Sequence, residues 1–103
     1  MTKVEIKAKE THAHQYANYL VSLDMDNPDS KHLALKRFLE MNGTFYEFVG
    51  MRYLGFDDGS VAIMDICFPN QILVRWDVLD HPMVWEETVY FHKPQSNAFL
   101  VEA

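Results

Sequence analysis

Two histidines one residue apart, His12 and His14, are the first residues in the chain whose types could do chemistry. Histidine is the commonest metal ligand in proteins, and the neighbouring Glu10 could add a carboxylate oxygen. Residues two apart share a face on a strand, but on a helix they point about 200° apart. A shared metal therefore requires His12 and His14 to lie on a strand.

The residues that follow predict a helix instead. Their apolar positions recur with the helical period, and Thr11 is a suitable N-cap. On that helix His12 faces solvent and His14 lies at the flank of the buried stripe, so we expect the histidines to diverge and to bind no metal. The predicted stripe consists of Ala13, Tyr16, Ala17, Leu20 and Leu23.

A second group of residues that could form a site depends on a predicted hairpin. Asp58-Gly59 is a strong signal for a two-residue turn. That turn would place Leu54 opposite Ile63 and Arg52 opposite Asp65, which puts an ion pair across the ladder. The pair has two interpretations: a structural ion pair within a mostly apolar face, or the polar anchor of a ligand pocket.

The same register predicts a sheet without a polar face. With Pro69-Asn70 as the next two-residue turn, both faces carry mainly apolar side chains, whereas a sheet open to water on one side should alternate. The second face then needs cover from barrel closure, self-association or a ligand. The candidate ligand pocket comprises Arg52, Tyr53, Phe56, Asp65 and Trp76.

These side chains would be positioned by a single α+β domain spanning residues 1–103. The predicted order is a short strand at 4–8, two helices, and an antiparallel meander of about five strands, forming a bent sheet or a partly closed small barrel. The first helix follows Thr11, and the second has Asn27 as its cap, Pro28 at its first position and Asn42-Gly43 at its end. The predicted strands cover 44–56 with a bulge at Gly50, 60–68, 71–79, 85–92 and 98–101.

Composition argues against several classes of function. The net charge is −6, which disfavours binding to nucleic acid phosphates. No apolar run approaches the ~20 residues of a membrane span, and no signal peptide is expected. Cys67 is the only cysteine, which favours a reducing cytoplasm.

No catalytic motif stands out. The chain has no glycine-rich phosphate loop, nucleophile elbow or H-E-x-x-H sequence, so we expect no cofactor. The leading hypothesis is a non-catalytic interaction module, a homodimer that covers its second sheet face with another copy. The alternatives are a small-molecule-binding protein or small enzyme with an aromatic pocket anchored by Arg52, and an acidic inhibitor acting on a basic partner. Possible partners are therefore a second copy, another protein or a small apolar ligand.

Overall fold

A computed structural model of the chain describes residues 2–24, 26–65, 67–78 and 83–91. It shows an α+β fold with three helices followed by a five-stranded antiparallel sheet, which confirms the predicted class. The predicted strand at 98–101 lies outside the described residues. The elements are α1 (Lys3–Lys9), α2 (His12–Ser22), α3 (Ser30–Glu40), β1 (Thr44–Phe48), β2 (Met51–Gly55), β3 (Val61–Asp65), β4 (Gln71–Val78) and β5 (Met83–Tyr90).

The predicted strand at 4–8 was wrong, because this segment forms α1. The Thr2 side chain caps the helix by accepting a hydrogen bond from the Glu5 N–H at 3.1 Å. Glu5 in the first turn, with Lys7 and Lys9 in the last, complements the helix dipole. Alternation over five residues was therefore outweighed by a cap and by charges placed at the correct ends.

Helix α2 confirms its prediction. The Thr11 side chain accepts from the His14 N–H at 3.4 Å, as expected of an N-cap. The residues predicted for the stripe on α2 itself, Ala13, Tyr16, Ala17 and Leu20, are fully buried.

Helix α3 begins later than predicted. The Asn27 side chain closes a turn by accepting from the Asp29 N–H at 2.9 Å, and the helix proper starts at Ser30 instead of Pro28. Its end is as expected: Asn42 takes a left-handed φ of 56°, and the Gly43 N–H donates to the Phe38 carbonyl at 3.0 Å.

The five strands form a meander in the order β1-β2-β3-β4-β5 that does not close into a barrel. The predicted strand 44–56 is split by a tight turn at Val49-Gly50, where both residues have positive φ, 48° and 77°. Two such residues make the turn that fits the twist of a hairpin, and Phe48 then pairs with Met51. Gly50 is thus part of a turn and not a bulge.

The next turn is one residue longer than predicted. The Phe56 N–H donates to the Ser60 carbonyl at 3.0 Å, which leaves the three residues 57–59 in the loop, with Gly59 at φ 84°. Arg52 consequently pairs with Met64, and Met51 pairs with Asp65. Because one residue of register reverses a face, Arg52 and Asp65 lie on opposite sides of the sheet, and their predicted pairing was wrong.

The β3–β4 register also differs from the prediction. Ile63 pairs with Leu73 instead of Trp76, an odd shift of three residues. The β2–β3 register differs from the prediction by one residue and the β3–β4 register by three. Each odd difference reverses the face of the next strand, so the two reversals cancel between β2 and β4. The faces predicted for β2 and β4 relative to one another are therefore correct, and only β3 is reversed.

Helices α2 and α3 pack on one side of the sheet. Their core includes Leu54, Ala62 and Val74, which are almost completely buried. An aromatic cluster of Tyr16, Phe38 and Phe56, with ring centroids 5.6–5.8 Å apart, joins both helices to β2 and the turn that follows it. We call this the helix side of the sheet and the opposite side the open face. The large apolar or aromatic residues exposed on the open face are Tyr46, Phe48, Val84 and Tyr90.

Candidate functional site

A groove of about 310 Å³ lies on the open face, at the end nearest the β2–β3 turn. Its volume is at the lower end of the range for small-molecule sites. Two tyrosine rings, two aliphatic side chains, a guanidinium and a carboxylate contribute to its walls. The lining residues are Tyr46, Tyr53, Gly59, Val61, Ile63, Arg75, Trp76 and Asp77.

Two tyrosines form one wall of the groove. Tyr46 on β1 and Tyr53 on β2 are direct partners in the register, so their side chains project from the same face. Their rings stack with centroids 4.8 Å apart and planes inclined by 2°. That separation matches the spacing of neighbouring strands, so the backbone holds the stack without further contacts. The sequence prediction missed Tyr46, because the pairing depends on the turn at Val49-Gly50.

The cation of the groove is Arg75. Its Nε donates to Glu86 Oε1 at 3.2 Å, across a directly paired position of β4 and β5. Both side chains are about half exposed, so the pair adds little to stability and its charges remain accessible to a ligand. Asp77, two residues further along the same face, adds a carboxylate. The groove therefore combines stacking surfaces with one group of each charge.

The structure divides the predicted pocket. Tyr53 and Trp76 line the groove, the latter just beyond Val61–Arg75, the terminal pair of β3 and β4. Phe56 belongs to the core and is 7% exposed. Asp65 closes the following turn, where its Oδ1 accepts from the Cys67 N–H at 2.9 Å. Arg52 lies on the helix side, and the register places Trp76 on that side as well. Of the five predicted pocket residues, only Tyr53 and Trp76 therefore border the groove.

Arg52 is left in an unusual environment. On the helix side its direct neighbours in the register are Glu47 on β1 and Met64 on β3. Its Nη1 is buried and has no hydrogen-bond partner. None of the ion pairs found among the described residues includes Arg52.

The two histidines diverge, as α2 requires. His12 lies on the exposed side with its Nδ1 2.9 Å from Asp57 Oδ1, whereas the His14 side chain is 8% exposed and contacts β5. Among the residues that the structure describes, no three potential ligands converge on a metal position. The structure therefore shows the predicted divergence of His12 and His14 on α2.

His14 is held at both ring nitrogens. The Asn18 amide Nδ2 donates to Nδ1 at 3.0 Å, which places the ring hydrogen on Nε2, and Nε2 donates to Glu87 Oε2 at 2.7 Å. The Trp85 ring lies 6.2 Å away. Since no ring nitrogen is free to exchange a proton with a substrate, the pair connects α2 to β5 and does not form an acid–base site.

The β2–β3 turn caps α2 from outside the helix. Asp58 Oδ2 accepts from the His12 N–H at 2.8 Å, and Ser60 Oγ accepts from the Ala13 N–H at 3.0 Å. The Ser60 hydroxyl in turn donates to Asp58 Oδ1 at 2.5 Å. Burial opposes ionisation of Asp58, but the hydrogen bonds from Ser60 and His12 outweigh it and lower the pKa of the carboxyl. Ser60 is fully buried and cannot act as a nucleophile.

The chain matches no protein-family model, no curated protein and no solved structure. None of the described helices has the length and apolar character needed to cross a bilayer. The groove, the β1 edge and Arg52 therefore have to be interpreted from their own chemistry.

Proposed function

We propose that the chain is a non-catalytic interaction module that functions as a homodimer, in which the β1 strands of two copies pair side by side. The observation that supports this is the exposed edge position of β1. It is an edge of the described sheet, and four of its five residues are exposed. Pairing would join two five-stranded sheets into one and place their open faces next to each other.

Strand β1 lacks two of the residue types that usually protect an edge. The sequence 44–48 contains no proline and no lysine, and all five residues pair regularly with β2. Because Phe48 closes a two-residue turn, hydrogen bonding alternates along the strand and directs the N–H and C=O groups of Phe45 and Glu47 outward. The other edge, β5, differs in that α1 contacts it.

The strand suits a second copy of itself. Antiparallel pairing centred on Tyr46 places the outward groups of Phe45 opposite those of Glu47 in the second copy. This register brings the two Tyr46 side chains together, and the stack observed within each copy becomes a ladder of four rings. It also avoids placing two Glu47 carboxylates opposite each other. Each copy carries a net charge of −6, so we expect salt to strengthen the dimer.

The test uses a pair of variants at one position. Glu47→Pro removes an outward N–H without removing a β1–β2 hydrogen bond, whereas Glu47→Gln keeps the N–H and loses only the charge. Sedimentation equilibrium over a wide concentration range should show a monomer for Glu47→Pro and a dimer for the wild type and Glu47→Gln. A wild-type chain that stays monomeric at high concentration, or a Glu47→Pro variant that dimerises equally, would refute the proposal.

The groove supports a second candidate function, the binding of a small planar ligand. Aromatic rings on Tyr46 and Tyr53 provide stacking surfaces, and Arg75 and Asp77 provide polar recognition. This retains the aromatic pocket of the sequence hypothesis but replaces Arg52 by Arg75. Side-by-side pairing through β1 leaves the open face available, so both functions are compatible.

The groove can be filled without disturbing the backbone. Gly55 pairs with Val61 on the open face, and a Cβ there meets only the Thr44 carbonyl, at 3.7 Å. The dye 1-anilinonaphthalene-8-sulfonate has the required planar ring and anion. We expect Gly55→Val to abolish saturable dye fluorescence and Leu39→Ser, which removes an exposed apolar group from α3, to preserve it. Equal binding by Gly55→Val and the wild type would exclude the groove.

We also propose a cytoplasmic location. Cys67 is the only cysteine, and its exposed thiol would remain reduced in that compartment. Cell fractionation with antibody detection tests this, and recovery outside the cytoplasm would contradict it.

A further inference from the structure

Arg52 is the only arginine whose charge lacks a partner in the described structure. The chain has two others: Arg75 contacts Glu86 at 3.2 Å, and the Arg37 guanidinium lies 4.5 Å from the centre of the Tyr19 ring. Arg52 Nη1 is buried with no hydrogen bond. A buried cationic nitrogen without an acceptor is unfavourable, and such groups are rare in folded proteins.

The described neighbours of Arg52 do not provide an acceptor for Nη1. Met64 beside it is 4% exposed and apolar, and Asp65 projects from the other face. Glu47 occupies the adjacent position on β1, but it is exposed and makes no ion pair with Arg52 within 4.0 Å. The cation therefore lies on the helix side of the sheet, and none of the described residues supplies a carboxylate that pairs with it.

We propose that Arg52 binds a small oxyanion, a free carboxylate or an inorganic phosphate, on the helix side of the sheet. A guanidinium matches both ligands, because its N–H groups can donate two parallel hydrogen bonds to two oxygens. A bound anion would supply an acceptor for Nη1 and neutralise the charge. This site is separate from the groove and from the β1 edge, so its test does not depend on either proposed function.

The test compares an arginine that lacks a partner with an arginine that has one. Thermal unfolding is measured with sodium phosphate, sodium acetate and sodium chloride at matched ionic strength, for the wild type, Arg52→Met and Arg37→Met. Methionine is close in length to the apolar part of arginine and suits the neighbourhood of Met64. Arg37→Met serves as the control, since it removes an exposed arginine whose guanidinium already lies over the Tyr19 ring.

We expect the wild-type Tm to rise saturably with phosphate or acetate relative to chloride, and the more effective salt identifies the oxyanion class. Arg37→Met should respond as the wild type does. Arg52→Met should lose the saturable rise completely and have a higher Tm than the wild type in chloride, because an unpaired charge has been removed. The general effect of phosphate on stability remains in all three proteins and is subtracted by comparison.

Two outcomes would overturn the proposal. One is a saturable response that Arg52→Met retains, or that the wild type lacks. The other is a lower Tm for Arg52→Met in chloride, matched by an equal loss in Glu47→Gln. That result would show that Arg52 pairs with Glu47 in solution and has no need of an external anion.

Discussion

Gly43 lies in the connection between α3 and β1, and we predict that this position tolerates no side chain. A Cβ added there would lie 2.5 Å from both Cδ1 and Cζ of Phe38, and closer still to Cε1. Carbon atoms prefer separations of about 3.5–4.0 Å, so the ring or the backbone would have to move. Gly43→Ala therefore tests whether the chain really turns over the face of Phe38.

The ring has little freedom to move. Phe38 is 6% exposed, and its centroid lies 5.6 Å from that of Tyr16 and 5.8 Å from that of Phe56. Overpacking of this kind costs about 2 kcal/mol. A backbone shift would in addition weaken the bond from the Gly43 N–H to the Phe38 carbonyl, at about 1 kcal/mol. We expect a loss of about 3 kcal/mol in the free energy of unfolding, equivalent to roughly 12 °C in Tm.

Two other glycines provide matched controls for urea unfolding. Gly55→Ala introduces a Cβ with only an ordinary contact, so we expect a change within about 0.5 kcal/mol. At Gly59 the space is open but φ is +84°, and strain alone should cost about 1 kcal/mol. A Gly43→Ala variant as stable as Gly55→Ala would refute the close approach to Phe38 and the packing argument with it.

Two further predictions concern the contacts that join α2 to the sheet. Asp58→Asn should destabilise the fold by about 1 kcal/mol near neutral pH. Because the folded-state pKa of Asp58 is lowered, its carboxylate stabilises the protein above the unfolded value, and this contribution is lost as the pH falls through the folded value. The difference between wild type and variant in urea unfolding should therefore shrink below about pH 4, and a constant difference would contradict the argument. For the His14–Glu87 contact, a double-mutant cycle with His14→Leu and Glu87→Gln should give a coupling energy of about 1 kcal/mol by fluorescence-monitored unfolding, whereas strict additivity would show that the hydrogen bond does not stabilise the fold.

The helices show which sequence signals are sufficient. For α2, the apolar period extended over more than two turns and coincided with a cap, so it predicted both the helix and its buried residues. For α1, only five residues were available, and Val4, Ile6 and Ala8 alternate on a strand as well as they fit a short helix. The deciding features were the Thr2 cap and the position of the lysines, and neither depends on hydrophobic period.

The turns show where the sequence is ambiguous. Asp-Gly suits a two-residue hairpin, but Gly59 in the left-handed region also completes a three-residue loop. The longer loop lets Asp58 and Ser60 accept hydrogen bonds from the first N–H groups of α2. The length of this turn is thus linked to hydrogen bonds with α2, a segment distant in sequence. No local sequence pattern could have revealed that length. Val49 gave no signal either, because a β-branched residue at φ 48° is disfavoured.

The strand register explains why the predicted Arg52–Asp65 pair does not form, although both residue types are suitable for an ion pair. Prediction paired Arg52 with Asp65 because both were assigned to one face, and a single extra loop residue reversed β3 while β2 and β4 kept their orientation. Asp65 then moved to the open face, and Arg52 stayed beside the apolar side chains of the helix side. The missing partner of Arg52 is therefore a direct consequence of the same turn that caps α2. Among the described residues Arg52 Nη1 has no hydrogen-bond acceptor, which is the reason to test oxyanions first.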